Sequence, residues 1–322
     1  MMFDIEADKT IVLADSNTVK LLPGLGLDLL PRIVIPSGDE NKNIQTLSFV
    51  WGELADMKAT RHSLLVNAGG GMVCDLGGMA ASTFKRGMRF INIPTTLLAM
   101  VDASAGGKVG INHCGVKNLV GLFNEPERVV LRMETLCSLD VHNILSGYAE
   151  MIKHGLLSGQ NLYEKTLSFD ILNEDVRALE QLVYENIAFK NSVVSDDFRE
   201  SGKRKILNFG HTVGHAIEAL LGGSQLHGYC VAWGMLVAAY LSVTKAGFPR
   251  EELTRLQSIV RELYGVVPVD CKSYDRLYEL MSNDKKNKGE RVNFTLLRSI
   301  GEAITDCDVS RDDIFEAIDF IR

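Results

Sequence analysis

Ser63-Leu64-Leu65-Val66-Asn67-Ala68-Gly69-Gly70-Gly71-Met72-Val73-Cys74-Asp75-Leu76-Gly77-Gly78 passes from a short apolar run, through three consecutive glycines, into a stretch that can continue as helix. A short apolar run bounded by turn residues reads as a strand buried on both faces. Glycines at its exit let backbone amides approach a pyrophosphate and aim the following helix N-terminus at its charge, so a dinucleotide is the economical ligand. The run departs from the Gly-x-Gly-x-x-Gly fingerprint, and a tight turn without a ligand fits it equally well.

Working outward, residues 10–15, 32–36 and 90–94 are apolar runs of the same kind, bounded by Asp, Gly or Pro. Between the second run and residue 63, residues 44–57 are apolar at Leu47, Val50, Trp51 and Leu54, which is helical spacing. Strand, helix and strand in this order imply a parallel sheet covered on both faces, with ligands at the carboxyl ends of its strands. From about residue 138 the strand signals thin out and helical periodicity dominates, at 179–195, 215–221, 231–244 and 251–263. The chain therefore reads as an α/β Rossmann-like parallel-sheet domain over 1–136 and a mainly α-helical domain over 137–322.

Composition sets the outer limits. The 322 residues allow two cores, and 46% hydrophobic with 23% charged residues is ordinary for a globular enzyme. A net charge of -7 argues against nucleic acid, while a locally basic site for a small anion remains compatible with it. The cysteines form no Cys-x-x-Cys pair and read as free thiols in a reducing cytoplasm. The start Met1-Met2-Phe3-Asp4 has no leader pattern, and no uninterrupted apolar run is long enough for a membrane span.

His211, His215 and His227 lie close together in a chain with 7 histidines, and Glu150 is their best carboxylate companion. Two imidazoles and a carboxylate on a divalent ion leave one coordination position for substrate. These four residues are the candidate ligands. Zinc is favoured by availability, and cobalt is accepted by the same donors. Lys42, Lys85, Arg86, Lys108 and Lys117 sit on glycine-rich or turn segments and suit phosphate groups, while Lys190 and Arg204 suit a carboxylate. Glu200 could instead pair with either of the last two. The segment 283–289, Asn-Asp-Lys-Lys-Asn-Lys-Gly, reads as a charged surface turn or as a closure over an anion.

Taken together, these motifs resemble the 3-dehydroquinate synthases, a family of sugar phosphate cyclases. The resemblance runs from Pro36-Ser37-Gly38-Asp39-Glu40-Asn41-Lys42 through the triple glycine, Phe84-Lys85-Arg86-Gly87, Pro94-Thr95-Thr96 and Gly106-Gly107-Lys108. It continues through Lys117-Asn118, Ala149-Glu150-Met151-Ile152-Lys153, residues 204–215, His227-Gly228 and Asp284-Lys285-Lys286. It implies a carbon-oxygen lyase that converts 3-deoxy-D-arabino-heptulosonate 7-phosphate to 3-dehydroquinate and phosphate, a step of aromatic amino acid biosynthesis, with NAD recycled in each turnover.

Carried over motif by motif, the implied metal ligands are Glu150, His211 and His227, with His215 moved off the metal into proton transfer beside Glu200 and Lys153. Implied NAD contacts are Asp15, Asn17, Asp39, Lys42, Gly69, Gly70, Gly71 and Asp75, then Thr95, Thr96, Lys117, Thr135 and Ser138. Implied substrate contacts are Asp102, Lys108, Asn118, Lys190, Arg204 and Asn208, with Lys286 favoured over Lys285 in the late turn. Arg86 is implied to reach the substrate phosphate of a neighbouring subunit, and hence a homodimer. The chain departs from the family pattern at Asp39, Cys74, Val109 and Tyr229, none of which is an implied metal ligand. Polyol dehydrogenases would share the two-domain plan but release net NADH.

Overall fold

The computed structural model describes residues 5–282 and 292–322. The chain forms two compact units, Met1–Leu139 and Asp140–Arg322.

In the first unit, strands β1 (Thr10–Asp15), β2 (Arg32–Ile35), β3 (Leu64–Gly69) and β4 (Arg89–Pro94) form a parallel sheet in the order β2-β1-β3-β4. Successive side chains of a strand point to opposite faces, and the two faces are filled separately. Ile11 and Leu13 pack with Leu47, Val50 and Leu54 of α1 (Ile44–Asp56) and with Val73 and Leu76 of α2 (Gly71–Thr83). Val12 and Ala14 pack on the other face with Leu22, Leu25 and Leu27 of the long β1–β2 connection. One face is therefore covered by helices and the other by irregular chain. Asn43 starts α1 by accepting the Thr46 N–H at 3.0 Å.

Residues 63–78 comprise β3, its glycine exit and the first half of α2. Gly77 and Gly78 let this helix lie directly on its neighbours. A Cβ on Gly77 would stand 2.0 Å from the Asn67 side-chain oxygen and 2.8 Å from Leu13, and one on Gly78 would stand 2.4 Å from Val109. Asn67 cannot give way freely, because it is buried and donates to Asn92 on the next strand at 2.9 Å. Gly77→Ala is expected to cost about 1–3 kcal/mol and to lower the apparent thermal midpoint by roughly 3–10 °C, measurable by scanning fluorimetry.

An antiparallel hairpin, β5 (Lys108–His113) and β6 (Val116–Phe123), completes this unit. It was not expected from the sequence. A π-helical turn over Ala99–Ala103 precedes it.

The second unit is built from α3 (Val141–Ser158), α4 (Gln160–Ser168), α5 (Glu180–Asp196), α6 (His211–Leu220), α7 (His227–Ala246), α8 (Arg250–Tyr264), α9 (Tyr274–Ser282) and α10 (Arg311–Ile321). A hairpin of β7 (Val292–Ser299) and β8 (Glu302–Val309) lies among them, also absent from the sequence reading. The central helix α7 is long and apolar enough to cross a bilayer by length and composition, with a mean hydropathy of 1.2. This qualifies the expectation of no such run. In the fold 67% of that window is buried, as befits a helix that is apolar all round because other elements surround it. All six cysteines are free.

Candidate functional site

In the first unit the chain ends of the parallel strands carry most of the expected nucleotide residues. Asp15, at the end of β1, accepts the backbone N–H groups of Asn17 and Thr18, both at 2.8 Å, and so closes the turn that presents Asn17. After β3, Gly70 precedes α2 in extended conformation, with no side-chain cap and no acidic residue in the first turn. The amides at that helix start are thus available to an anion. Thr95 donates its backbone N–H to Gly69 at 3.0 Å, while its hydroxyl is buried without a hydrogen-bond partner, directly beside the glycine turn. A glycine exit, an open helix start and an orphaned hydroxyl together fit a dinucleotide phosphate. Thr96 caps the following turn through Ala99 at 3.1 Å. Thr135 and Ser138 spend their hydroxyls on the carbonyls of Arg132 and Thr135 in their own turn, each at 2.7 Å.

A charge network lies alongside. Lys42 is buried and contacts Asp75 at 3.0 Å and Asp39 at 3.7 Å, and Asp39 also meets Lys117 at 3.1 Å. Burial opposes the charge on Lys42, but Asp75 and Asp39 raise its pKa above the ordinary value. Burial likewise pushes Asp39 up, and Lys42 with Lys117 brings it below the usual carboxylate range. For Asp75 burial outweighs what Lys42 returns, and its carboxyl is pushed up. The thiol of Cys74 is buried, and that burial pushes its pKa up, making it an inert packing group.

The expected phosphate residues follow. Gly106 and Gly107 have φ of 97° and 68°, which glycine adopts without strain, and lead into the exposed Lys108. Asn118 stands in β6 at φ 50°. Asp102 lies in the π-helical turn. Lys85 and Arg86 are both left-handed, at φ 48° and 66°. Arg86 lines a cavity of about 500 Å³ with Arg61, His62 and Arg89.

In the second unit three helices converge. Glu150 lies in the middle of α3, His211 and His215 occupy the first two turns of α6, and His227 opens α7. Glycines permit the approach: a Cβ on Gly228 would stand 2.0 Å from the Ser146 carbonyl oxygen, and one on Gly234 2.0 Å from that of Gly210. Backbones this close bring the candidate ligand side chains together. Oε1 of the fully buried Glu150 lies 3.4 Å from Nε2 of His211 and 3.4 Å from Nε2 of His227. A tetrahedral zinc with bonds of about 2.0–2.1 Å separates neighbouring ligand atoms by about 3.4 Å. These residues therefore fit a divalent ion. His215 shares the histidine cluster, its ring 5.1 Å from that of His211 and 5.7 Å from that of His227.

The electrostatics agree with the donor set. Burial alone would raise the Glu150 carboxyl, but Lys153, in contact with its other oxygen, and His211 hold it well below the usual range. Burial, then Lys153, pushes His211 toward the neutral form. Burial works against charge on His227 too, yet Glu150 and Glu218 raise its pKa to about 10.

Two supporting residues escaped the sequence reading. Glu218, buried, lies 3.3 Å from Nδ1 of His227, the position from which a carboxylate fixes a ligand imidazole. Its signal was available, since His211, His215 and Glu218 follow one another on one helical face. Asp197 gathers the N–H groups of Ser201, Gly202 and Arg204 at 2.9, 2.7 and 3.1 Å, and these bonds, Gly202 first, bring it to about 2. That loop presents Glu200, which is left-handed at φ 58° and accepts from Asn208 at 2.8 Å. Arg204 and Lys190 are both buried, and Arg204 donates to the Phe198 carbonyl at 2.7 Å. Lys286 and Lys285 lie outside the described residues.

Family models described as 3-dehydroquinate synthase N-terminal and C-terminal match residues 32–146 and 147–287. A 3-dehydroquinate synthase of Parabacteroides distasonis is 46% identical over 99% of this chain and 92% of its own length. One from Acetivibrio thermocellus is 36% identical over 96% of this chain and 89% of its own. Among solved structures, a 2-deoxy-scyllo-inosose synthase complexed with carbaglucose-6-phosphate, NAD+ and Co2+ superimposes with a TM-score of 0.87 at 26% identity, covering 98% of this chain and 91% of that one.

Proposed function

This chain belongs to the 3-dehydroquinate synthase family, and on that premise we propose that it converts 3-deoxy-D-arabino-heptulosonate 7-phosphate to 3-dehydroquinate and phosphate, using NAD and a divalent metal, zinc or cobalt. The observation that carries the metal assignment is the equal 3.4 Å spacing of Glu150 Oε1 from the two imidazole nitrogens. NAD+ and Co2+ in the related cyclase complex support the same pair of cofactors here.

Residues 1–136 would carry the nucleotide at Gly69, Gly70, Gly71, Thr95 and the Lys42–Asp75 pair, and residues 137–322 the metal. When bound, the ion supplies a Lewis acid at a substrate hydroxyl, and the nucleotide a hydride acceptor regenerated within the turnover. The chain's own groups do the rest. Glu150, His211 and His227 hold the ion. His215 and Glu200 exchange protons with the substrate, and Lys153 keeps the Glu150 carboxylate ionised. Arg204 and Lys190, as buried cations, bind the substrate carboxylate. Lys108 and Asn118, with Lys286, receive the phosphate and stabilise it as it leaves. Asp102 and Asn208 orient the sugar hydroxyls, and holding one pose governs the closing carbon–carbon bond.

Free cysteines support a cytoplasmic setting. A homodimer follows from the same reading, with Arg86 acting across the interface. The strained backbone at Lys85 and Arg86 supports a functional role for that turn.

The decisive experiment incubates the chain with the heptulosonate phosphate, NAD and zinc, following phosphate and 3-dehydroquinate together. Equal release of both, without NADH accumulation, is expected; stoichiometric NADH would make it a polyol dehydrogenase instead. Arg204→Ala should raise the substrate KM by about ten- to a hundredfold, the worth of a charge-assisted pair at a buried site, and an unchanged KM would remove its carboxylate role. Glu218→Ala should weaken zinc affinity by about 10- to 100-fold in a chelator competition.

A further inference from the structure

We propose that Asn112 is a positioning residue shared by the nucleotide and phosphate subsites, an inference that rests on the functional reading above. Asn112 sits where the β5–β6 register shifts between Ile111 and His113, an irregularity of the kind that re-aims a side chain out of the ladder. Both ends of its amide are engaged. Its Nδ2 donates to the Asp39 carbonyl at 3.0 Å and to Asp39 Oδ2 at 3.1 Å. Its Oδ1 accepts the backbone N–H of Asn118 at 3.0 Å. Its own backbone N–H donates to the Lys42 carbonyl at 2.7 Å.

Exchanging the two ends of the amide would set donor against donor at Asn118, so one orientation is fixed. The consequence at each end is specific. Asp39 already faces Lys42 and Lys117, and an amide donor on Oδ2 limits how far its carboxylate can follow those two cations. Asn118 stands at φ 50°, a conformation that an Asn adopts at a cost and that an acceptor on its N–H helps to hold. One neutral side chain therefore sets the aim of a residue assigned to NAD and of a residue assigned to phosphate. A leucine at this position would keep the bulk and lose all three side-chain bonds.

The test is calorimetric titration of the zinc-loaded chain with NAD and, separately, with inorganic phosphate. Asn112→Leu is expected to weaken each by about three- to tenfold, the range for one lost hydrogen bond. Double-mutant cycles separate aim from mere folding. In an Asp39→Ala background the effect of N112L on NAD should shrink below about twofold while its effect on phosphate persists, and in an Asn118→Ala background the reverse should hold. If N112L folds poorly, Asn112→Ser, polar but too short to span Asp39 and Asn118, should give the same two losses. Wild-type affinities in either variant would overturn the proposal, as would equal losses in every background. A wild-type chain that binds neither probe would instead remove the functional reading beneath it.

Discussion

Glu150→Gln should abolish stoichiometric zinc binding, reduce turnover by more than about a thousandfold, and lower the thermal midpoint as well. Each effect has its own cause. The amide keeps the shape of the carboxylate but loses the charge that draws a divalent ion, and a hard or borderline cation gains little from it. Without the ion, the developing charge on the substrate oxygen loses several kcal/mol of stabilisation, which sets the scale of the rate loss. The stability effect comes from Lys153, which is buried with Glu150 as its ion-pair partner one helical turn away. Breaking a buried pair from one side typically costs about 3–5 kcal/mol, because the remaining charge is uncompensated. Lys153→Met in the Glu150→Gln background should recover part of that loss and none of the zinc binding. His211→Ala should lose zinc without the same fall in midpoint, since it strands no buried charge. Zinc content by atomic absorption and midpoints by scanning calorimetry distinguish these outcomes. A Glu150→Gln chain that keeps one tightly bound zinc would end the ligand assignment.

Three of the parallel strands were legible because they are buried on both faces and therefore largely apolar, as in β3, where every residue is buried; β2, which buries only Ile33 and Ile35, was legible from its short apolar run. The β5–β6 hairpin was not, because β6 is exposed along nearly its whole length and presents no alternation to read. The β7–β8 hairpin failed similarly, with Glu302, Asp306 and Asp308 interrupting one strand. Helix α6 was read as starting at His215. It starts at His211, because the left-handed Gly210, at φ 78°, turns the chain immediately before it.

The histidines announced a metal site by their density, but spacing alone favoured His211 with His215, which share a helix. What distinguishes His227 is a meeting of α3, α6 and α7 that depends on glycines at 210, 228 and 234, and local periodicity carries no information on which helices meet. All four candidates, Glu150 and His227 among them, came from the residues; the resemblance implied which of them to move off the metal, His215. It did not supply Glu218, Asp197 or Asn112, whose work is to hold other residues in place and which become visible only through the bonds they make.

Lys42→Met should weaken NAD binding by more than about a hundredfold and destabilise the first unit, with an unusual dependence on pH. Lys42 is buried and is the cation against Asp75 at 3.0 Å, so the substitution leaves a carboxylate in a site where burial already pushes its pKa upward. Loss of the ammonium removes the main influence pulling that pKa down and drives it higher still. An aspartate whose folded pKa is raised above its ordinary value of 3.8 binds its proton more tightly folded than unfolded. Its penalty is absent below that ordinary value, grows as pH rises from there toward the raised folded pKa, and levels off above it. The variant should therefore lose stability relative to the wild type on going from acid toward neutral pH, the opposite of ordinary acid unfolding. Asp75→Asn in the same background removes the titrating group and should flatten the profile. NAD affinity should stay low in both variants, because Asp39 has also lost a partner at 3.7 Å and no longer sits between two cations. Thermal midpoints from pH 4 to 8 and NAD titrations of the three chains measure this directly. A pH-independent difference between Lys42→Met and wild type would show that the Asp75 carboxylate finds another partner.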